Sequence, residues 1–359
     1  MQEYIIVFNN FINGGCENLF ISIARKCKDV NFKLIILRKN IDTLQLSKLP
    51  TNVEIINCKY QHILIRFIFY KKYIKQYFAN VISIIDFHEV LLCELFLYIN
   101  RKKFHCWHWF NCNPLMKLKK KTSYLYYKLF SFYEKVIFIC DTQKKLLQQI
   151  VKSYPDDKCY ISYNFVDKEK IISLSEEYNI QIYEKYIISI ARIDYEAKDF
   201  ETLLKAYELL SNDIKRDYKL VIVGDGKDMD RLKSRVVESN DKNNILLLGN
   251  LTNPYPWLKN ASLFILSSYT EGFPITILEA FVLGIPVISS NCLCGPKEIL
   301  NTNEYGDLFE IGDYETLCTK IRNCLNNKLI HNQFSNKGKA RGDYYLKSAD
   351  KSVKELLCL

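Results

Sequence analysis

The sequence lacks an apolar run long enough to span a bilayer. Its most apolar windows, residues 63–70 and 90–99, are short and are interrupted by Arg66 and Glu94, whereas a spanning helix needs about 20 apolar residues. The chain also opens directly on an apolar strand pattern at residues 4–7, without the basic region, apolar stretch and cleavage site of a secretion signal. These absences predict a cytoplasmic protein that does not cross a membrane.

The sequence also lacks the cysteine pattern of a disulfide framework or a zinc site. Its thirteen cysteines are odd in number, irregularly spaced and often embedded in apolar runs such as residues 136–140, which is typical of reduced, buried thiols. Cys292 and Cys294 form a close pair, but neither a second pair nor histidines accompany it. We therefore expect no metal at this pair.

Short runs of β-branched and aromatic residues alternate with helical patterns along most of the chain. One such series lies within residues 5–139 and a second within residues 186–289, which predicts two parallel sheets covered by helices. A chain of 359 residues also exceeds the size at which a single core keeps growing. We expect an α/β protein with two Rossmann-like domains, residues 1–180 and 181–359, facing across a cleft, and the last helix is a candidate to pack back on the N-terminal domain.

The net charge of +10 is concentrated in two windows that are both basic and aromatic. They are residues 67–78 and 117–130, the second of which contains the lysines Lys117, Lys119, Lys120 and Lys121. Such segments suit an anionic bilayer surface, and they equally suit a solvated helix face whose aromatic side chains enter the core. No recognised nucleic-acid-binding motif accompanies the charge, so we expect no nucleic-acid partner.

Two cations follow the first strand pattern of the second series. In open parallel sheets, ligands bind beyond the carboxyl ends of the strands, and Arg192 and Lys198 follow such an end. An arginine fork and a mobile lysine together suit a diphosphate. Taken alone, a pair with this spacing is usually an ordinary surface pair.

A second strand end carries glycine, proline and two acidic residues. The strand pattern of residues 263–266 leads through Glu271 and Gly272 to Pro274 at the start of a helical pattern. A proline there is pre-organised for a helix start, whose free N–H groups bind anions, and glycine permits close approach of a ligand. Carboxylates suit partners rich in hydroxyl groups, and Glu279, which has apolar neighbours, requires a partner.

Two short strings favour other sites more weakly. Residues 228–230 match the Asp-x-Asp string of metal-dependent transferases, but they open a polar helical pattern, where acidic residues favour the positive end of the helix. Gly224 and Gly226 have the spacing of a dinucleotide-binding loop, but its third glycine is missing. We therefore expect neither a metal nor a cofactor.

Residues 271–280 resemble the E-x7-E signature of retaining glycosyltransferases of family 4, which have the GT-B fold. The resemblance covers roughly residues 186–320, and it extends more loosely to residues 13–17 and 107–108. The other segments that resemble this family are residues 253–258, residues 295–298 and the Arg192/Lys198 spacing.

The resemblance implies a role for each matching residue. Arg192 and Lys198 would neutralise the diphosphate of the donor, Glu279 would hold its ribose hydroxyls, and Glu271 would contact its sugar. His108 would lie near the reacting sugar and the acceptor, although a histidine packed among aromatic neighbours is the alternative. The residues whose backbone would contact the donor sugar are Gly272, Phe273, Pro274 and Ile275, and the residues that would approach the phosphates from the other domain are Gly14 and Gly15.

By the same resemblance, the protein is expected to be a retaining hexosyltransferase of bacterial surface polysaccharide biosynthesis. It would move a hexose or N-acetylhexosamine from a nucleotide sugar, UDP-linked in its relatives, to a glycan acceptor that is lipid-linked at the inner face of the cell membrane. No metal is required in this scheme. Two rivals stay open: a nucleotide-sugar epimerase of the same architecture, and a non-catalytic partner that kept the fold.

Overall fold

The chain divides into two units, each built around its own parallel sheet. In the computed structural model the first unit is Met1–Asn164 with Lys351–Leu359, and the second is Phe165–Asp350. The structure describes residues 2–8, 10–12, 15–37, 41–57, 68, 80–84, 106–110, 135–150, 155–164, 166–180 and 184–357. The predicted α/β architecture with two parallel sheets is thus confirmed.

The first unit contains a seven-stranded sheet whose strand pairs are all parallel. Its strands are β1 (Gln2–Phe8), β2 (Val30–Ile36), β3 (Val53–Asn57), β4 (Asn80–Ile84), β5 (Cys106–Phe110), β6 (Lys135–Phe138) and β7 (Cys159–Ile161). Their order is β3-β2-β1-β4-β5-β6-β7. The described helices are α1 (Gly15–Lys26), α2 (Thr43–Leu46) and α3 (Asp141–Ile150).

Aromatic packing between α1 and the sheet forms the core at this end of the first unit. The ring of Phe20, on α1, meets the ring of Phe32, on β2, edge to face at 5.7 Å between centroids, and Phe8 meets Phe11 in the same way at 5.3 Å. All four side chains are buried. Edge-to-face pairs of this kind add to the gain from burying the rings.

The second unit contains a six-stranded sheet, which is also parallel throughout. Its strands are β8 (Lys185–Ile190), β9 (Tyr218–Val223), β10 (Ile245–Gly249), β11 (Leu263–Leu266), β12 (Val287–Ser290) and β13 (Asp307–Phe309), in the order β10-β9-β8-β11-β12-β13. The helices are α4 (Lys168–Leu174), α5 (Phe200–Glu208), α6 (Asn212–Asp217), α7 (Met229–Val237), α8 (Tyr255–Lys259), α9 (Ile275–Leu283), α10 (Pro296–Leu300), α11 (Tyr314–Asn326) and α12 (Lys328–Leu356).

Burial on both faces explains why the strands of the second sheet are almost continuously apolar. All four residues of β11 are buried, as are those of β12, because helices cover both faces of a parallel sheet. Helix α9 ends where Gly284 adopts a left-handed conformation, with φ of 73°, and the Ile285 N–H donates to the Ala280 carbonyl at 2.9 Å. This glycine cap turns the chain directly into β12.

The division between the units falls earlier than residue 180, where the sequence placed it. It lies between Asn164 and Phe165, because α4 contacts α8 and α9 of the second unit. Asp167 caps α4 by accepting from the Lys170 N–H at 3.0 Å. The last nine residues group with the first unit. Among the described residues, no helix combines the length and the apolar character that crossing a membrane would require.

Candidate functional site

The loop after β8 carries Arg192 and packs tightly against the loop after β9. The Ile193 N–H donates to the Asp225 carbonyl at 3.0 Å. Gly224 has a φ of 142°, and a Cβ at this position would come within 1.9 Å of the Ala191 carbonyl oxygen. The glycine is therefore needed for the packing of two strand-end loops, which is a structural explanation for the Gly-x-Gly string.

The other end of this loop joins the loop after β11. Lys198 forms an antiparallel bridge with Ser268, and the Tyr269 N–H donates to the Ala197 carbonyl at 2.9 Å. The Lys198 ammonium group pairs with Oε1 of Glu271, and the Ser268 hydroxyl donates to the same oxygen at 2.7 Å. The side chains of Lys198 and Glu271 are only 14% and 13% exposed. Two residues that the sequence singled out separately thus form one largely buried ion pair.

The last residue of β12 and the loop that follows it support the same region, and β12 is the neighbour of β11 in the sheet. The Ser268 N–H donates to Oγ of Ser290 at 2.9 Å, and the Ser290 hydroxyl donates back to the Ser268 carbonyl at 2.8 Å. Gly295 has a φ of 84°, and a Cβ there would lie 2.6 Å from Cδ of Pro274 and 2.8 Å from the Gly272 carbonyl oxygen. Gly295 therefore permits this loop to pack against the segment that precedes α9.

The start of α9 lies where the sequence predicted an anion-binding helix end. The helix begins at Ile275, after Pro274 in an extended conformation, and no side chain caps its first turn. Phe273 is buried, and its ring meets that of Tyr345 edge to face at 5.1 Å. The backbone from Gly272 to Ile275 is thus anchored by an apolar side chain at a helix N-terminus, whose dipole favours negative charge.

Arg192 differs from Lys198 because its side chain is 71% exposed. Its Nη2 lies 3.3 Å from Oδ2 of Asp194, and Lys227 Nζ lies 3.3 Å from Oδ1 of the same carboxylate. Burial acts to raise the pKa of Asp194, but the Glu196 N–H, Lys227 and Arg192 outweigh it, and the pKa is lowered. An ionised carboxylate thus lies between two cations, and the Arg192 guanidinium remains open to solvent.

Glu279 lies in the second turn of α9 among buried apolar residues, as the sequence suggested. Its neighbours Ile277, Leu278, Ala280 and Phe281 are buried, and the Tyr255 hydroxyl donates to its Oε1 at 2.9 Å. Burial raises the pKa of Glu279 to about 7, with the Tyr255 hydrogen bond acting in the opposite direction. The sequence predicts that this carboxylate needs a partner, but no local pattern identifies Tyr255 as that partner, although residues 253–258 are among the segments that carry the family resemblance.

The Asp-x-Asp string has a local structural role. Asp228 Oδ2 accepts from the Tyr195 N–H at 2.7 Å, whereas the Asp230 side chain is fully exposed. Within the part of the chain that the structure describes, no three His, Cys, Asp or Glu side chains are grouped to hold a metal ion.

The predicted contributions of the first unit lie largely outside the described residues. This applies to Gly14, to the side chain of His108 and to the lysines Lys117, Lys119, Lys120 and Lys121. Gly15 is the first residue of α1, and the backbone of His108 pairs with Ser83 and Val136 inside the first sheet. The roles suggested for these residues therefore stay predictions.

Comparison with known proteins identifies the segment that contains the described site. Residues 170–341 match the family model described as "Glycosyl transferases group 1". This segment, which includes Arg192, Lys198, Glu271 and Glu279, is therefore similar to the glycosyl transferases of group 1.

Two relatives resemble a larger part of the chain. One is the N-acetylgalactosamine-N,N'-diacetylbacillosaminyl-diphospho-undecaprenol 4-alpha-N-acetylgalactosaminyltransferase of Campylobacter jejuni, 30% identical over 229 residues, which are 63% of this chain. The other is an uncharacterized glycosyltransferase of Methanocaldococcus jannaschii, 34% identical over 233 residues, which are 62% of this chain. The chain spans only 61% and 55% of the lengths of these two relatives.

Solved structures resemble the whole chain. The structure of Anabaena HepE in complex with UDP-glucose has a TM-score of 0.81 at 16% identity, and the match covers 100% of both chains. WaaG, a glycosyltransferase involved in lipopolysaccharide biosynthesis, has a TM-score of 0.73 at 13% identity over 98% of this chain and 99% of that one. At this level of identity the likeness establishes the fold alone, and it confirms the predicted GT-B class.

Proposed function

We propose that the protein is a retaining glycosyltransferase that moves a hexose or N-acetylhexosamine from a UDP-linked donor to a glycan acceptor. The observation that carries the proposal is the largely buried ion pair of Lys198 and Glu271 shortly before α9, with Arg192 exposed on the same loop as Lys198. Cations suited to a diphosphate and a carboxylate suited to sugar hydroxyls are thus held together by three neighbouring strand-end loops.

The chemistry of transfer explains the need for these groups. Breaking the bond between the anomeric carbon and the diphosphate builds negative charge on the leaving phosphate, while the sugar becomes oxocarbenium-like. Arg192, Lys198 and the N-terminus of α9 can stabilise that charge, and one well-placed donor in such a site is worth about 3 kcal/mol. In the proposed scheme the acceptor attacks on the leaving-group face and the departing phosphate takes its proton, so neither a carboxylate nucleophile nor a metal ion is required.

The identity of the acceptor is proposed from the names of the relatives. The Campylobacter jejuni relative is named for a diphospho-undecaprenol substrate, and another, from Escherichia coli, is a lipopolysaccharide 1,6-galactosyltransferase. We propose a lipid-linked glycan acceptor for this chain as well, used in surface polysaccharide assembly at the inner face of the cell membrane. The basic aromatic windows, residues 67–78 and 117–130, would then contact anionic headgroups.

Calorimetry tests the proposal. UDP, GDP, UDP-glucose and UDP-N-acetylglucosamine are titrated into the wild type and into the Arg192→Ala and Glu279→Ala variants. We expect one nucleotide to bind and both substitutions to weaken it. Absence of binding to the folded wild type would refute the transferase function and favour a non-catalytic partner.

A second assay separates transfer from epimerisation. The donor that binds is incubated with the protein, with and without a lipid-linked glycan extract, and the sugar products are analysed by mass spectrometry and NMR. A transferase adds one sugar to the acceptor, whereas an epimerase changes the donor without any acceptor. Vesicle sedimentation with a variant that replaces Lys117, Lys119, Lys120 and Lys121 by glutamine tests the membrane contact, which we expect to weaken.

A further inference from the structure

The hydrogen bond between Tyr255 and Glu279 links two helices of the second unit. It provides a donor for one of the two carboxylate oxygens of Glu279. Tyr255 is the first residue of α8, and its hydroxyl donates to Oε1 of Glu279, on α9, at 2.9 Å. Among the described residues, Oε2 of Glu279 has no hydrogen-bonding partner in the protein, although a carboxylate accepts through both oxygens. One oxygen is therefore fixed, and the other is available to a ligand.

A network of hydrogen bonds holds Tyr255 in place at its backbone. The Tyr255 N–H donates to Oδ1 of Asn253 at 3.0 Å. The Asn253 amide donates to the Leu174 carbonyl at 2.8 Å and to Oε2 of Glu177 at 2.6 Å, and the Tyr178 hydroxyl donates to the Asn253 carbonyl at 2.6 Å. The start of α8 is thus tied to the end of α4, so the Tyr255 side chain begins from a fixed point.

The environment keeps the Tyr255 hydroxyl neutral, so that it acts as a donor. Burial and the neighbouring charge of Glu279 raise the pKa of Tyr255 well above its ordinary value, and Asp167, on the segment before α4, acts in the same direction. A neutral phenol can donate only one hydrogen bond, and here it is directed at Oε1 of Glu279.

We propose that Tyr255 is a positioning residue: it fixes one oxygen of Glu279 so that the other accepts a hydrogen bond from a ribose hydroxyl of the donor. The inference rests on the proposed function, because only the proposed donor site gives Glu279 a ribose to hold. The inference adds Tyr255 to the donor site as a residue that acts through Glu279 and does not itself need to contact the donor. A purely structural alternative is that the bond joins α8 to α9 and nothing more.

A pair of ligands separates the two explanations. Calorimetry at about pH 8, where Glu279 is mostly ionised, compares UDP with 2′,3′-dideoxy-UDP for the wild type and for Tyr255→Phe. We expect the substitution to lower the affinity for UDP about fivefold to tenfold and to leave the affinity for the dideoxy analogue unchanged. A structural defect in the site would weaken both ligands alike.

Tyr186→Phe is the matched control. The Tyr186 hydroxyl donates to the Trp257 carbonyl of α8 at 2.6 Å, so this variant also removes one tyrosine hydrogen bond to α8 but leaves Glu279 untouched. We expect its preference for UDP over the dideoxy analogue to equal that of the wild type. Thermal unfolding of both variants verifies that each is folded at the temperature of the titration.

The pH dependence of the ribose preference gives a second readout. The ratio of the two affinities cancels titration of the ligand phosphates, and an ionised carboxylate accepts more strongly than a neutral one. The wild-type ratio should rise as pH rises through about 7, the pKa of Glu279. Because the Tyr255 hydrogen bond lowers that pKa, the rise should move to higher pH in Tyr255→Phe.

Each outcome addresses a different claim. If the folded wild type binds no nucleoside diphosphate, the proposed function fails. If the wild type binds UDP and prefers it to the dideoxy analogue, but Tyr255→Phe keeps the same preference, the transferase site stands and the role given to Tyr255 is refuted. Equal binding of the two ligands by the wild type refutes the ribose contact of Glu279, and with it the inference.

Discussion

The two glutamates of the E-x7-E segment lie in opposite electrostatic settings. Glu271 faces an ammonium group and a hydroxyl, supplied by Lys198 and Ser268. Glu279 faces a single neutral hydroxyl from Tyr255, and burial raises its pKa to about 7. The two glutamates of one motif therefore have different partners. Glu271 lies in a charged cluster, and Glu279 accepts one hydrogen bond from a neutral hydroxyl.

This difference shows that the E-x7-E motif alone does not determine the electrostatic environment of each glutamate. The loop that carries Glu271 is bridged to the loop after β8, where Lys198 is available as a partner, whereas Glu279 lies in the second turn of α9 and contacts Tyr255 of α8. The first carboxylate has the ammonium group of Lys198 as its ionic partner, whereas burial raises the pKa of the second. The following substitutions test that contrast.

Lys198→Ala should have the largest effect. Removing the ammonium group takes away a cation for the leaving phosphate and leaves Glu271 without its ionic partner, so kcat/KM for transfer should fall about 100-fold to 1000-fold. Lys215→Ala is the control, because Lys215 and Asp241 form an ion pair with similar burial, 12% and 15% exposed. If steady-state kinetics give equal losses for the two variants, general destabilisation explains the result and the charge-cluster description of Glu271 is wrong.

Glu271→Gln and Glu279→Gln should change UDP affinity in opposite directions. The first releases Lys198 for the diphosphate, so UDP should bind about twofold to fivefold more tightly even though transfer falls. The second weakens the acceptor for a ribose hydroxyl and should lower UDP affinity about tenfold. Calorimetry with UDP measures both constants. A decrease of the same size in both variants would remove the contrast between the two glutamates.

Arg192→Ala should lower UDP affinity about tenfold, and Arg192→Lys should recover part of the loss, because an ammonium group lacks the bidentate geometry of guanidinium. Arg216→Ala provides a control of equal exposure, since the Arg216 side chain is 70% exposed and pairs with Asp213. UDP titrations of the three variants should separate them. Full recovery by lysine would mean that charge alone, without the arginine fork, is recognised.

Glu279→Gln should also change stability with pH. The folded pKa of about 7 lies above the ordinary 4.5, so the neutral carboxyl stabilises the fold below about 4.5 and that contribution is lost as pH rises through about 7. The free energy of unfolding of the variant, relative to that of the wild type, should therefore rise by about 1–2 kcal/mol between pH 5.5 and pH 8. This corresponds to a few degrees in Tm. The expected gain in free energy is discounted because part of the Glu279 side chain remains exposed to solvent.

Glu208→Gln controls for the sign of this effect. Burial acts to raise the pKa of Glu208, but hydrogen bonds from Arg235 and Ser239 outweigh it and the pKa is lowered. Its titration then lies below pH 5.5, so the Tm difference from the wild type should stay constant over the same interval. A constant difference for Glu279→Gln as well, measured by calorimetric scanning, would contradict the raised pKa.

The sequence predicts the position of the strand-end residues better than it predicts their side-chain partners. Arg192, Lys198 and Glu271 were predicted to lie beyond the carboxyl ends of parallel strands, and the structure places them in the loops after β8 and β11; this rule needs only the order of strands and loops. Tyr255 was missed because its approach to Glu279 depends on the packing of α8 against α9, which no local pattern encodes. Gly224 has the spacing of a dinucleotide-binding loop in the sequence, whereas its positive φ and its close approach to Ala191 are visible only in three dimensions.

The boundary between the two units illustrates the same limit. A charged segment after residue 164 suggested a linker ending near residue 180, yet α4 packs against α8 and α9 and belongs with the second unit. Membership of a unit depends on long-range contacts, whereas composition reports only local solvation. The alternation of strands and helices, by contrast, follows from local burial and was read correctly from the sequence.

Oε1 of Glu271 accepts from both Lys198 and Ser268. This arrangement has a consequence for the selectivity of the site among the anions of a cell. Lys198 is already neutralised, so inorganic phosphate or a nucleotide without a sugar must compete with a carboxylate before it can use this cation. Under the proposed function a sugar nucleotide offsets this competition, because its hydroxyl groups can replace Lys198 as partners of Glu271 while its diphosphate binds Lys198. We therefore expect the empty site to resist inhibition by the phosphate pool that surrounds it.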